Sequence, residues 1–228
     1  MRFKYLDILI GVFVTVLLVS NVVAVKIFKL GPFSFAGGTI LFPLAYIFGD
    51  VFTEVYGYKR TRRIIWTGFL ANILMAVVFI IVGKLPAASG WQHQSAYEAI
   101  LGWVPRIVIA SIIAYWLGEF SNSFVLAKMK IWTKGKWLWT RTIGSTIVGE
   151  LVDTIVFCLI AFWARIPTSL LITVIISNYL LKVLVEVVFT PLTYLIVGFL
   201  KKQEGVDTYD YDTNFTPFHL KDTDYQAE

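Results

Sequence analysis

Long apolar runs separated by short polar segments organise this chain. They predict six helices, over 6–26, 39–57, 64–83, 104–127, 142–164 and 168–200. About 20 helical residues, rising about 1.5 Å each, cross a hydrocarbon core of about 30 Å. The first, third and fifth runs fit that length directly. The second is short and carries Gly37, Gly38, Pro43 and Gly49. The sixth would be about 50 Å long, so it must tilt, project or kink, with Pro191 as the expected kink. Between the third and fourth runs, Ser95–Leu101 is amphipathic and Trp91 and Trp103 flank it, which predicts a short helix lying at an interface. The reading is an all-α polytopic membrane protein with six transmembrane helices over residues 1–202, followed by an acidic tail over 203–228.

Composition makes lipid the solvent. Apolar residues are 57% of the 228, charged residues only 15%, and the mean hydropathy is +0.73. A soluble domain carries about 25% charge, so a water-soluble enzyme and a disordered chain are both excluded as leading readings. The net charge of +5 conceals an asymmetry: residues 1–202 hold 19 Lys and Arg against 8 Asp and Glu, a net +11, and the tail holds one Lys against seven acids, a net −6. Fourteen basic residues fall beside one set of run ends and only Lys26, Lys29, Lys84 and Arg165 beside the other. That bias predicts cytoplasmic termini, and it explains the basic charge without nucleic acid. The tail has no apolar run long enough to pack and is expected to be solvated; docking of Tyr209, Tyr211 and Tyr225 on a basic face is the alternative. The lone Cys158 permits no internal disulfide, and His93 and His219 have no partners at metal-ligand spacing. No cleavable leader is expected, because no small-residue cleavage site follows the first run.

Ionisable residues inside the runs carry the chemical information. Asp50, Glu54, Arg106, Glu119, Glu150, Asp153, Lys182 and Glu186 all fall there. Each would cost about 2.5–3.5 kcal/mol at mid-bilayer if it faced lipid, so they must face one another, water or a ligand. Tyr46, Asp50 and Glu54 are four apart; Glu150 and Asp153 are three apart; Asn178, Lys182 and Glu186 are four apart. Each set shares one helix face, and three such stripes can converge on one cavity. Private pairing competes with this reading: Lys182 with Glu186, Glu54 with a nearby cation, and Arg106 with the outer interface. Asn21, Asn72, Asn122 and Asn178 form a second polar layer expected to bond between helices. Tyr46, Tyr115, Trp116 and Tyr179 lie deep enough to stack on a flat ligand or to pack helices.

Short echoes suggest a three-plus-three inverted repeat. Ser20-Asn21 returns as Ser121-Asn122, Gly49-Asp50 as Gly149-Glu150, and Ala71-Asn72 as Ser177-Asn178, with the paired runs oppositely directed. Such repeats place a site near the midplane. The chain has no G-x-x-x-x-G-K-[ST], G-x-S-x-G or H-E-x-x-H sequence, and no cofactor is expected.

The chain resembles the queuosine precursor transporters, small six-span bacterial proteins of the vitamin-uptake type. The resemblance is carried in order by Ser20-Asn21, Ala24, Lys26, Gly37-Gly38, Phe42-Pro43, Tyr46, Asp50, Glu54 to Gly57 and Arg62. It continues through Trp91, Gln94 to Tyr97, Pro105-Arg106, Ala110-Ser111, Ala114-Tyr115, Gly118-Glu119 and Asn122. Arg141 to Ser145, Gly149-Glu150, Asp153, Lys182, Glu186 and Thr190-Pro191 complete it. The resemblance implies import of 7-cyano- or 7-aminomethyl-7-deazaguanine across the bacterial cytoplasmic membrane. The partners so implied are a purine-like small molecule and the bilayer, with a homodimer compatible with so few spans. A guanine-like edge offers two adjacent donors to one carboxylate, its O6 takes an Asn or Lys donor, and its ring takes an aromatic platform. Glu150 or Asp153 would hold that edge, and Asp50 or Glu119 would be a second acid. Asn178, Lys182, Tyr46, Tyr115, Asn122 and Glu54 complete the candidate set. Proton coupling, an ATPase partner and facilitated exchange are all open. The competing classes are a substrate-binding subunit for another vitamin-like molecule, an intramembrane acid-pair enzyme using Asp50 and Asp153, and an assembly subunit.

Overall fold

The computed structural model describes residues 3–211 and 213–216, and the backbone alone of Phe42, Pro43 and Tyr46. His219, Lys221 and Tyr225 lie outside the described residues. Among the described residues, seven α-helices follow one another: α1 Leu6–Val23, α2 Phe42–Tyr56, α3 Tyr58–Lys84, α4 Gln94–Leu101, α5 Val104–Trp132, α6 Leu138–Phe162 and α7 Thr168–Glu204. Five helical stretches are long and apolar enough to cross a membrane: α1, α3, the run Gln94–Trp132 that contains α5, α6 and α7. The second expected span is the exception. With 15 residues, α2 measures about 22 Å, less than the hydrocarbon core.

The bundle is apolar outside and polar inside. Leu70 and Leu195 are 66% and 71% exposed, while Asp50, Glu119, Glu150 and Asp153 are no more than 1% exposed. Water would reverse that distribution, so the outer face is suited to lipid. At 37 residues, α7 is the longest helix, about 55 Å. Pro191 lies inside it without ending it.

The strictly all-α expectation needs one correction. Ile27–Leu30 (β1) and Phe33–Ala36 (β2) form an antiparallel hairpin. Gly31 has φ +57° and Pro32 is confined to negative φ, the combination of a two-residue type II′ turn. A single 3-10 turn, Gly37–Ile40, then leads towards α2. Gly37 and Gly38 press on α1: a Cβ on either would collide with the Val23 or Ser20 carbonyl oxygen. The sequence marked this segment as a close-contact or unwound stretch, and it is both.

Two basic segments expected in loops are helical. Lys59, Arg60, Arg62 and Arg63 lie in the first turns of α3, and Lys128 and Lys130 lie in the last turns of α5. Only Gly57 separates α2 from α3, and its φ of +84° permits the reversal. The short helix expected at 95–101 is present as α4. Gln94 Nε2 donates to the Gly83 carbonyl at 3.1 Å, which covers a free carbonyl at the end of α3, and the Tyr97 hydroxyl donates to the Phe79 carbonyl one turn earlier at 3.3 Å. Arg106 does the same for α6, donating to the carbonyls of Ile160 at 3.0 Å and Trp163 at 3.1 Å. A cation there also suits the helix dipole.

The described part of the tail is docked, which corrects the expectation of a solvated terminus. Both Asp210 carboxylate oxygens accept the Tyr58 N–H at 3.2 Å and so cap α3. Arg62 Nη1 donates to the carbonyls of Asn214 and Thr216, both at 2.7 Å. Phe215 packs on Tyr58 and Phe124, and Lys130 Nζ lies over the Tyr209 ring. At the other terminus, the Lys4 and Tyr5 N–H groups donate to the Glu204 carboxylate at 2.8 and 2.9 Å. The start of α1 and the end of α7 therefore meet.

Replacement of Gly38 by Ala is expected to destabilise the protein by about 1–3 kcal/mol, the usual cost of overpacking. Gly11→Ala, where a Cβ meets nothing, should be neutral. Thermal unfolding of the two purified variants in one detergent checks the contrast.

Candidate functional site

The predicted stripes on α6 and α7 do meet. Lys182 Nζ of α7 lies 2.9 Å from Glu150 Oε2 and 2.5 Å from Asp153 Oδ2 of α6. All three residues are at most 4% exposed. The i, i+3 spacing of Glu150 and Asp153 puts both acids on the face that α7 covers. One turn before Lys182, Asn178 accepts a hydrogen bond from the Thr39 hydroxyl at 3.1 Å. The 3-10 turn after the hairpin delivers Thr39, so the glycine pair that seats this turn on α1 also sets one wall of the site.

A small interior cavity lies here, bounded by Ala36, Thr39, Asp153, Phe157, Asn178 and Lys182 among others. Its volume is about 10 Å³, room for roughly one water. The α6 and α7 stripes meet at this cavity, whereas no described residue of the α2 stripe lines it, and the polar groups close on each other. A ligand larger than a water enters only if the ion pair and its wall move apart. Thr39 and Phe157 were not among the sequence candidates. Gly37-Gly38 marked the approach near Thr39, whereas nothing in the local pattern distinguished Phe157 from packing.

A second polar layer joins α2, α5 and α7. Asn122 Nδ2 donates to Asp50 Oδ1 at 2.9 Å, and the Glu186 carboxyl lies within hydrogen-bonding reach of Asp50. Glu119 accepts from the Ser123 hydroxyl at 3.1 Å and from Tyr115. A Cβ at Gly49 would strike the Glu119 carboxylate, so that glycine sets how closely α2 and α5 approach. Tyr115 is 2% exposed and packs edge-on against Phe69. The aspartates imagined as a catalytic pair are held apart by these partners, Asp153 by Lys182 and Asp50 by Asn122 and Glu186. Asn21 and Asn72 bond between α1 and α3 at 2.8 Å, as the asparagine pattern predicted. The Tyr46 side chain lies outside the described residues.

Glu54 belongs to a third group. Its Oε1 is 2.9 Å from Arg141 Nη2, 2.8 Å from Lys201 Nζ and 3.5 Å from Lys130 Nζ. Lys130 and Lys201 also pair with Asp207 of the tail, at 3.0 and 2.8 Å. This network ties α2, α5, α6, α7 and the tail together, and Glu54 does not line the cavity. The sequence alternative of pairing with nearby cations is the one realised. Partial burial opposes ionisation of Asp207, yet hydrogen bonds and charge from Lys201 and Lys130 hold its carboxyl below the ordinary range. Burial pushes the Asp210 carboxyl up, against the pull of the Tyr58 N–H.

The family described as "Putative vitamin uptake transporter" matches residues 36–196. The "Probable queuosine precursor transporter" of Bacillus subtilis (strain 168) is 30% identical over 179 residues, 77% of each chain. The "Queuosine precursor transporter" of Escherichia coli (strain K12) is 28% identical over 171 residues, 73% of this chain and 74% of that one. A "Probable queuosine precursor transporter" of Haemophilus influenzae is 26% identical over 129 residues, 55% of this chain and 51% of that one. No solved structure matches at the significance these sequences reach.

Truncation of Lys182 to Ala is expected to cost about 3–5 kcal/mol, because it leaves two buried acids without their cation. Replacing all three together, as Lys182→Met, Glu150→Gln and Asp153→Asn, should recover much of that loss in thermal unfolding. For the tail, the sign follows from the lowered Asp207 carboxyl: its contribution to docking is complete above the ordinary carboxylate range and disappears as pH falls through the depressed value. Acidification through the depressed value of Asp207, below the raised range of Asp210, should therefore increase protease cleavage within residues 205–216, and Asp207→Asn should flatten that dependence.

Proposed function

Because the chain belongs to the vitamin uptake transporter family, that of the queuosine precursor transporters, we propose that it imports queuosine precursors through the cavity between α6 and α7. It is a multi-pass membrane protein of a transporter family, not of an enzyme family. The cargo is 7-cyano- or 7-aminomethyl-7-deazaguanine. The observation that carries the site assignment is that Asp153, Asn178 and Lys182, all buried, line one interior cavity.

The chemistry of the cargo fits this set. The N1–H and the exocyclic amine of the base are adjacent donors, and a carboxylate accepts both. Asp153 or Glu150 takes that edge once Lys182 releases it. Lys182 keeps the other acid and, with the amide of Asn178, offers donors to O6. Phe157 gives the ring an apolar surface. With the cavity closed, the two acids hold Lys182, so the buried ammonium is paired.

Six crossings with an inverted repeat remain the arrangement of choice, with α2 as the short crossing. Parity supports this. The start of α1 and the end of α7 meet at Glu204, which requires an even number of crossings, and five long helices alone give an odd one. The preceding 3-10 turn lengthens the α2 path, as in the broken helices that line transporter sites. The bias of basic residues sets both termini in the cytoplasm, in the bacterial cytoplasmic membrane.

Purified protein should gain thermal stability with 7-cyano-7-deazaguanine and not with an unrelated nucleobase such as uracil. Asp153→Ala or Glu150→Ala should weaken binding by about 2 kcal/mol, on the order of thirtyfold, and abolish uptake in cells with the protein still inserted. Normal uptake by both variants rejects the assignment.

A further inference from the structure

Asp50 of α2 and Glu186 of α7 are each 1% exposed and lie within hydrogen-bonding reach of one another. Neither forms an ion pair among the described residues. Asn122 donates to Asp50 Oδ1; among the described residues, Asp50 Oδ2 and both Glu186 carboxylate oxygens have no donor. Two ionised carboxylates so placed, away from water, repel each other strongly and leave these acceptors unsatisfied. One shared proton eases both defects, since it removes a charge and supplies a donor between the two carboxyls.

The charges around the pair point the same way. Glu54 follows Asp50 by one turn on α2 but is matched by Arg141, Lys130 and Lys201. From α5, Glu119 faces the pair and is bound by Ser123 and Tyr115. From α6 comes Glu150, and from α7 itself Lys182, one turn before Glu186 and already engaged by Glu150 and Asp153. The layer therefore sets five acids against a single lysine, and protons must make up the balance.

We propose that Asp50 and Glu186 form a proton-binding site, distinct from the base-binding groups, whose loading and release couples base import to the proton gradient. The proton enters from the outer aqueous phase, rests between the two carboxyls and leaves to the cytoplasm, and only O–H bonds are made and broken. Coupling to the base follows from the helix they share. Lys182 and Glu186 are one turn apart on α7, so a base that separates Lys182 from α6 shifts Glu186 against Asp50, and a proton that bridges α2 to α7 biases the cavity in return. This rests on the base site proposed above.

The test uses the full chain in liposomes with labelled 7-cyano-7-deazaguanine, and infrared spectroscopy without any base. Wild-type protein should show the carbonyl band of a protonated carboxylic acid at neutral pH, and should accumulate the base under an inward proton gradient. Asp50→Asn and Glu186→Gln should each diminish that band and lose the accumulation, and Glu186→Gln should keep base-for-base exchange without a gradient. Retention of both band and accumulation in the variants overturns the proposal, as does accumulation driven by sodium in place of protons. If a variant loses exchange as well, a pH dye inside wild-type vesicles decides: acidification of the lumen on adding base upholds the coupling, and an unchanged lumen overturns it. If wild-type protein shows no exchange at all, the base site fails, while the band still reports on the acid pair.

Discussion

The structure turns on one buried arrangement, Lys182 held between Glu150 and Asp153. The buried interior of a lipid-facing bundle is unfavourable for an isolated ammonium or carboxylate. The three groups persist there because each compensates the others at 2.5 to 2.9 Å. The same contact fixes α7 against α6 and places Asn178 beside the Thr39 turn. In the proposed import, a guanine-like edge, with its paired donors, would replace the ammonium at an acid and present an acceptor to the lysine. The interaction that joins the two helices would then also define what displaces it.

Around that centre the interior is divided by partner. The α6–α7 ion pairs form one group, the α2–α5–α7 acids a second, and Glu54 with its three cations a third. The third group ties four helices to the tail and so belongs to the cohesion of the bundle end. The tail adds to it through Asp207, and Asp210 supplies α3 with a cap that its own sequence lacks. An acidic terminus after a basic bundle is therefore a complement to it in both charge and hydrogen bonding.

Much of the fold was legible in the chain. Helix positions followed from apolar run length, the short α4 from its amphipathic pattern, and the inward faces of α6 and α7 from polar spacing. The limits were equally physical. α2 shares the apolar character of its neighbours but not their length, because the 3-10 turn takes the first residues of its run. The hairpin was missed because two four-residue strands carry too little periodicity, although Gly31-Pro32 between apolar residues was a turn signal. Lys59 to Arg63 read as a loop because charge was equated with a connection, whereas a helix can project past the membrane and keep its cations wet.

By itself the sequence determined the solvent, the class of fold and the residues that could not face lipid. Composition and period act locally, and any packing of these helices must obey them. Only the tertiary structure decided which acid answers which cation, that Glu54 belongs to the bundle end while Asp153 belongs to the cavity, and that the tail lies down on the helices. Those choices depend on how each helix is rotated and how closely it approaches its neighbours. Spacing along one helix fixes a shared face but leaves open the residue that comes to meet it.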